Sequence, residues 1–246
     1  MSFFTQSESN KTGNNYLKII SGQNVTILIL DDTPYEVGKH WMRDSSGQSY
    51  SITCPGQDVC PVCLHNKELN YNRDDPTYLS RSRRYMVNVL DLTPVIKCPA
   101  CDAVYEPRTV PQSCSCGENL VGIKASPVNE VKILERGKKL MQLIASLEQV
   151  PHPFTGEVMK VQEFPIMLVA SGKGTEMEIM PMPQAPVDID TSNLVKYDFS
   201  TFKPMSPQEV QAVLDGVTYK DIFAARRAEF TSKVAANTDE DDGFNF

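Results

Sequence analysis

Residues 54–63 read Cys-Pro-Gly-Gln-Asp-Val-Cys-Pro-Val-Cys, three cysteines in ten positions. A closed structural zinc site takes four ligands, so this stretch asks for a fourth. The chain has seven cysteines, and the other four form a second cluster, Cys98-x2-Cys101-x12-Cys114-x-Cys116. Two close pairs separated by a short loop are the spacing of a four-thiolate ribbon, in which each pair forms a turn and the metal staples the turns together. That leaves Cys54, Cys60 and Cys63 to find a partner among three histidines. His152 sits between prolines far downstream. His65 lies two residues past Cys63 and would need a strained chelate. His40 lies across a predicted hairpin from Cys54. The expected sets are therefore His40, Cys54, Cys60 and Cys63, with His65 the rival to His40, and Cys98, Cys101, Cys114 and Cys116. Both are read as structural zinc sites.

The surroundings fit a ligand role for these thiols. The N-terminal residues lack the basic start and apolar run of a secretory signal, and no segment approaches eighteen apolar residues. The expected compartment is a reducing cytoplasm, where cysteines serve as ligands more often than as disulfides. Hydrophobic residues are 41% of the 246 and charged residues 22%, the proportions of a globular protein. The net charge of −7 is unevenly spread. Residues 60–140 carry twelve basic and nine acidic side chains, whereas the last ten carry four acids and no base. A basic middle with an acidic end suggests polyanion binding together with an interaction tail.

Periodicity gives a mainly β chain with helices, an α+β class. Val25, Ile27 and Ile29 alternate as a strand buried on one face or nearly both. Residues 38–54 read as a hairpin turning at Asp44-Ser45-Ser46-Gly47, followed by a short helix after the cysteines. Residues 81–92 read as a strand, and 129–150 as one amphipathic helix capped by Asn129. A strand, a Gly-Lys-Gly turn and a second strand follow over 161–182. Ser206-Pro207-Gln208-Glu209 is a capping box opening the first of two C-terminal helices.

No catalytic motif emerges. There is no His-Glu-x-x-His, phosphate loop or Gly-x-Ser-x-Gly. Both metal sets are complete at four, without the open position of a catalytic zinc, so the chain is read as a non-enzyme. Residues 71–85 instead interleave rings and cations: Tyr71, Arg73, Tyr78, Arg81, Arg83, Arg84 and Tyr85. Trp41, the only tryptophan, and Tyr50 flank the metal hairpin. Stacking rings beside cations are what a non-specific single-strand binder needs. In a strand, Arg81, Arg83 and Tyr85 share one face. The competing reading is a solvated edge with core tyrosines.

The order His40, Cys54, Asp58-Val-Cys-Pro-Val-Cys63, then residues 68–90 and Gly137-Lys-Lys-Leu140 resembles the zinc-containing single-stranded-DNA-binding proteins of T-even-like phages. The resemblance follows element order over 16–182 and is specific over 38–92. It implies a five-stranded OB-fold barrel carrying zinc-binding insertions, here at 38–66 and 97–118, within a core spanning 16–200. A flexible segment 1–15, a helical segment 201–236 and a disordered acidic tail 237–246 complete the expected organisation. The implied function is sequence-tolerant coating and protection of single-stranded DNA in phage replication, recombination and repair. The tail residues Asp239, Glu240, Asp241, Asp242, Phe244 and Phe246 would engage replication and repair proteins. The alternatives are a zinc-ribbon replication or transcription adaptor and an RNA-binding regulator.

Overall fold

The computed structural model describes residues 15–47, 49–172, 177–201, 204–226 and 228. The N-terminal residues 1–14, most of the Gly-Lys-Gly turn and the acidic tail therefore lie outside the described residues. The fold is β-dominant and mostly antiparallel. Its strands are β1 (Asn24–Ile29), β2 (Tyr35–Arg43), β3 (Ser49–Thr53), β4 (Arg81–Asp91), β5 (Pro94–Lys97), β6 (Val104–Tyr105), β7 (Ser126–Pro127), β8 (Glu130–Arg136), β9 (Ile166–Ser171) and β10 (Glu178–Pro183). The helices are α1 (Pro61–Glu68), α2 (Lys138–Ser146) and α3 (Pro207–Leu214), with a further helical run over 219–226. No helix among the described residues is long and apolar enough to cross a membrane. Two compact units form, one from the chain up to Glu36 with Arg84–Thr201, the other from Val37–Arg83 with the chain from Phe202 on.

The first unit is organised around an antiparallel sheet in the order β10-β9-β1-β4-β8. Ile27, Val89, Leu134, Ile166 and Leu168 form the core of one face, closed by Phe164 and by Leu140 and Ile144 of α2. Leu28, Leu30 and Leu90 face the other way, and Ile189 and Leu194 from the segment after β10 cover them. That is why β1 is apolar at nearly every position. Buried Asn88 anchors the covering segment: its Nδ2 donates to Asp31 and to the Tyr197 carbonyl, and its Oδ1 accepts from the Tyr197 amide at 2.8 Å. No pairing joins β8 to β10 among the described residues, so the sheet is open there.

The helix expected over 129–150 is corrected. Residues 130–136 are strand β8, paired with β4 from Tyr85↔Arg136 to Asp91↔Glu130. Asn129 is a turn residue with a φ of 55°, not a cap, and α2 starts only after Gly137. Helix-favouring Glu, Lys, Leu and Arg side chains lose here to seven residues of ladder pairing and to the burial of Ile133 and Leu134. Before β1, Tyr16 forms a parallel bridge with Ile133.

The second unit packs the β2–β3 hairpin, α1, α3 and the last helical run around Met42, Ile52, Val62, Met205, Val210, Val213 and Ile222, with three cysteines among them. The hairpin turn is the one expected: the Asp44 carboxylate accepts from the Ser46 amide and hydroxyl, and Gly47 takes a φ of 82°. The capping box is also present, with Ser206 Oγ accepting from the Glu209 amide and the Glu209 carboxylate accepting from the Ser206 amide.

Arg226 donates to the same Glu209 carboxylate. The guanidinium first, then the Ser206 donors, hold Glu209 down to about 2 from an ordinary value of 4.5. A lowered carboxyl stabilises the fold above its unfolded pKa and stops doing so as pH falls through its folded one. Glu209→Gln is therefore expected to cost about 1–2 kcal/mol at neutral pH, the scale of a lost cap and a part-exposed ion pair. In urea unfolding, the gap from wild type should narrow as pH falls below about 4.5 and vanish near pH 2.

Candidate functional site

The first cluster is assembled by the hairpin and the start of α1. On β2, residues 38, 40 and 42 share the inward face, and His40 is fully buried there. The pairing Lys39↔Thr53 puts Gly38 opposite Cys54, whose amide donates to the Gly38 carbonyl at 2.8 Å. Gly56, at a φ of 133°, turns the chain so that the Cys60 amide can donate to its carbonyl. Pro61 then opens α1, and Cys63 falls in its first turn. The result brings His40 Nε2 to 3.6 Å from Cys60 Sγ and 3.4 Å from Cys63 Sγ, with Cys54 and Cys63 sulfurs 3.7 Å apart.

These separations have a simple meaning. In a tetrahedron with metal–sulfur bonds near 2.3 Å and a metal–nitrogen bond near 2.0 Å, the edges are about 3.8 Å between sulfurs and about 3.5 Å between sulfur and nitrogen. A disulfide would need about 2.05 Å. All four ligand atoms lie within 4.8 Å of one another, so the cluster could hold a metal ion. His65, the rival ligand, instead pairs its Nε2 with Thr77 Oγ1 at 3.0 Å.

The thiols show why a cation suits them. Hydrogen bonding from Cys60 first, then from His40, the Gly56 amide and Arg81, holds Cys54 down to about 3. The same contact pushes Cys60 up, and burial pushes Cys63 up to about 11. One thiolate is tolerated in this buried space. A dication lets all three ionise together.

The second cluster is built from two knuckles on the small sheet β6-β5-β7 of the first unit. Asp102, at a φ of 56°, closes one turn by donating its amide to the Cys98 carbonyl at 3.0 Å. Gly117, at 93°, closes the other on Cys114 at 2.9 Å. Cys98 and Cys116 sulfurs stand 3.6 Å apart and Cys101 and Cys114 sulfurs 3.4 Å, again tetrahedral edges. The four ligand atoms lie within 4.8 Å, so this cluster too could hold an ion. Cys114 is held down to about 6, by the Cys116 amide first and then by the Tyr105 hydroxyl, which donates to its sulfur at 3.0 Å. Tyr105 is not legible in the sequence as a partner of this site, since nothing in one dimension aims a hydroxyl at a sulfur nine residues on.

The candidate nucleic-acid residues separate by face. Trp41 is 53% exposed on the outward side of β2, and Tyr71 is 62% exposed, with exposed Arg73 nearby in sequence. Arg83 is exposed, and Tyr78 is half-buried. In the other unit, Arg84 and Tyr85 are half-buried at the start of their part of β4. Two candidates turn inward. Tyr50 lies on the face opposite Trp41 and stacks on Tyr219, with ring centres 4.7 Å apart and an interplanar angle of 12°. Arg81 folds over Gly38. The sequence places both on strands, and only the packing around the hairpin reveals their direction. No protein-family model matches the chain, and comparison with curated proteins finds no match.

Proposed function

We propose that both clusters hold structural zinc and that the chain is an OB-type single-stranded-DNA-binding protein of the phage kind its metal segment resembles. Zinc suits the donors: one set of three thiolates with an imidazole and one set of four thiolates, both with tetrahedral edges and no open position, are its structural sites.

One observation carries the nucleic-acid reading, the connectivity of the first unit. In chain order its sheet strands are β1, β4, β8, β9 and β10, with α2 between the third and fourth. The first pairs with the second and the fourth, the second with the third, and the fourth with the fifth. This connectivity supports an OB-type reading, a partly open five-stranded Greek-key barrel that binds oligonucleotides over its second and third strands and the adjoining loops. Here the second strand is β4, which carries Arg83, Arg84 and Tyr85, and the long connection before it carries Trp41, Tyr71, Arg73 and Tyr78. The acidic tail would then serve as the hook for replication and repair proteins.

The sole tryptophan makes the test direct. Titrating oligo-dT should quench Trp41 fluorescence, with duplex DNA far weaker. Each phosphate neutralised on a single strand contributes about −0.7 to the slope of log K against log salt, so about three to five contacts give about −2 to −3.5. Changing Arg83 and Arg84 to Ala together should flatten that slope by about 1.4. A salt-independent response, or preference for duplex, would defeat the reading, and tighter binding to poly-U than to poly-dT would favour the RNA-binding alternative.

A further inference from the structure

Gly38 has a backbone that any residue can adopt, yet a side chain there would have to displace Arg81. A Cβ built on it would lie 2.5 Å from Nη2, 2.7 Å from Nε and 2.8 Å from Cζ of Arg81. The guanidinium therefore fills the space that a side chain at position 38 would take. That space is defined by its neighbours. Gly38 is two residues from His40 on the same inward face and directly opposite Cys54, and side chains of opposed residues begin about 4.5–5.5 Å apart. The guanidinium thus stands beside two ligands of the first cluster.

The approach to it is fixed at both ends. Asn66 of α1 holds residue 79 by donating to the Leu79 carbonyl at 2.7 Å and accepting from the Leu79 amide at 3.2 Å. Ser82 Oγ donates to the Lys39 carbonyl at 3.3 Å. Between these anchors Arg81 Nε is buried without a hydrogen-bond partner among the described residues. A half-buried guanidinium with its Nε shielded and no carboxylate partner among the described residues calls for another anion, since an uncompensated charge withdrawn from water is costly. The cluster supplies one: three thiolates and a neutral imidazole around a dication carry a net charge of −1.

We infer that Arg81 is a positioning residue of the first metal centre, its guanidinium seated over Gly38 to neutralise the thiolate cluster and orient Cys54. It is then withdrawn from nucleic-acid contact, and Gly38 is glycine because the guanidinium needs its side-chain space. Partners of this outer kind change metal affinity by about 10–100-fold when removed.

The test uses the full chain loaded with cobalt(II) at both clusters and stripped with increasing chelator. Arg81→Ala should release one ion at about 10–100-fold lower chelator than wild type, while the Cys98–Cys116 ion leaves as before and serves as internal reference. The thiolate-to-cobalt charge-transfer band of the saturated first site should shift. Gly38→Ala keeps every charge and ligand but displaces the guanidinium, so it should weaken the same ion. Arg81→Lys, which keeps the charge without the planar fork, should recover part of the loss. Wild-type release and an unshifted band in both Arg81→Ala and Gly38→Ala would overturn the inference. So would simultaneous loss of both ions, which reports general unfolding. The readout is metal binding, so the result is independent of whether the chain binds DNA.

Discussion

His40→Ala or Cys60→Ser is expected to cost the chain one of two bound metal ions and, with it, the folded state of the Val37–Arg83 unit. The reason lies in what that unit's core is made of. Cys54, Cys60 and Cys63 are three of its ten buried members, and the rest comprises Met42, Ile52 and Val62 with four residues from the chain beyond Phe202. Such a core is small for its share of chain, and small domains close the deficit with metals. Structural zinc is worth about 10–16 kcal/mol in peptide sites, against about 5–15 kcal/mol for the whole net stability of a domain. Losing a ligand therefore removes more than the unit has to spare. Amide exchange of Ile52, Val62 and Val210, all fully buried, should accelerate to unfolded rates, while Ile27 and Leu168 of the other unit stay protected. His65→Ala is the control, and both ions should remain because its imidazole is engaged with Thr77. Two ions in His40→Ala and one in His65→Ala would reverse the ligand assignment.

Much of this centre was legible because its information is local. Two cysteine spacings and the turn Asp44–Gly47 determine which side chains converge, and hairpin register brings His40 within reach of Cys54 two positions past its pairing partner Ile52. The capping box at Ser206 is local too. What could not be read depends on distant chain. Residues 130–136 have the composition of a helix and become a strand because β4 offers them seven partners. Gly137 was the available signal for the break, and the helical periodicity on either side concealed it. The segment after β10 has no periodicity, and its place over Leu28 and Leu90 depends on Asn88, about a hundred residues earlier. Arg81 and Tyr50 alternate correctly along their strands. Their directions escape a sequence reading because Gly38 and Tyr219 provide the surfaces they lie on.

Cys98→Ser should have an effect as large in the metal balance but narrower in the fold. The segment around this cluster has almost no apolar interior. Its buried members are Cys98, Cys114 and Leu120, supported by half-buried residues such as Tyr105, Val110 and Ile123. Its regular structure is the four residues of β5 with two residues on each side. Two of its thiols, Cys101 and Cys116, are exposed. Little in such a segment offsets the conformational entropy of holding roughly twenty residues in fixed turns, about 1–2 kcal/mol for each backbone residue ordered, unless a metal ion joins the knuckles. Remove one ligand and a metal no longer joins the two knuckles, so the turns at Asp102 and Gly117 lose their reason to close. The large sheet has its own core in Ile27, Val89, Leu134 and Phe164, which shares no residue with the ribbon. Cys98→Ser should therefore bind one ion and expose residues 98–123 to protease and rapid amide exchange. The thermal transition of the sheet should shift by only a few degrees. If the sheet melts with the ribbon, the second metal centre is part of the main fold rather than an appendage stapled onto it.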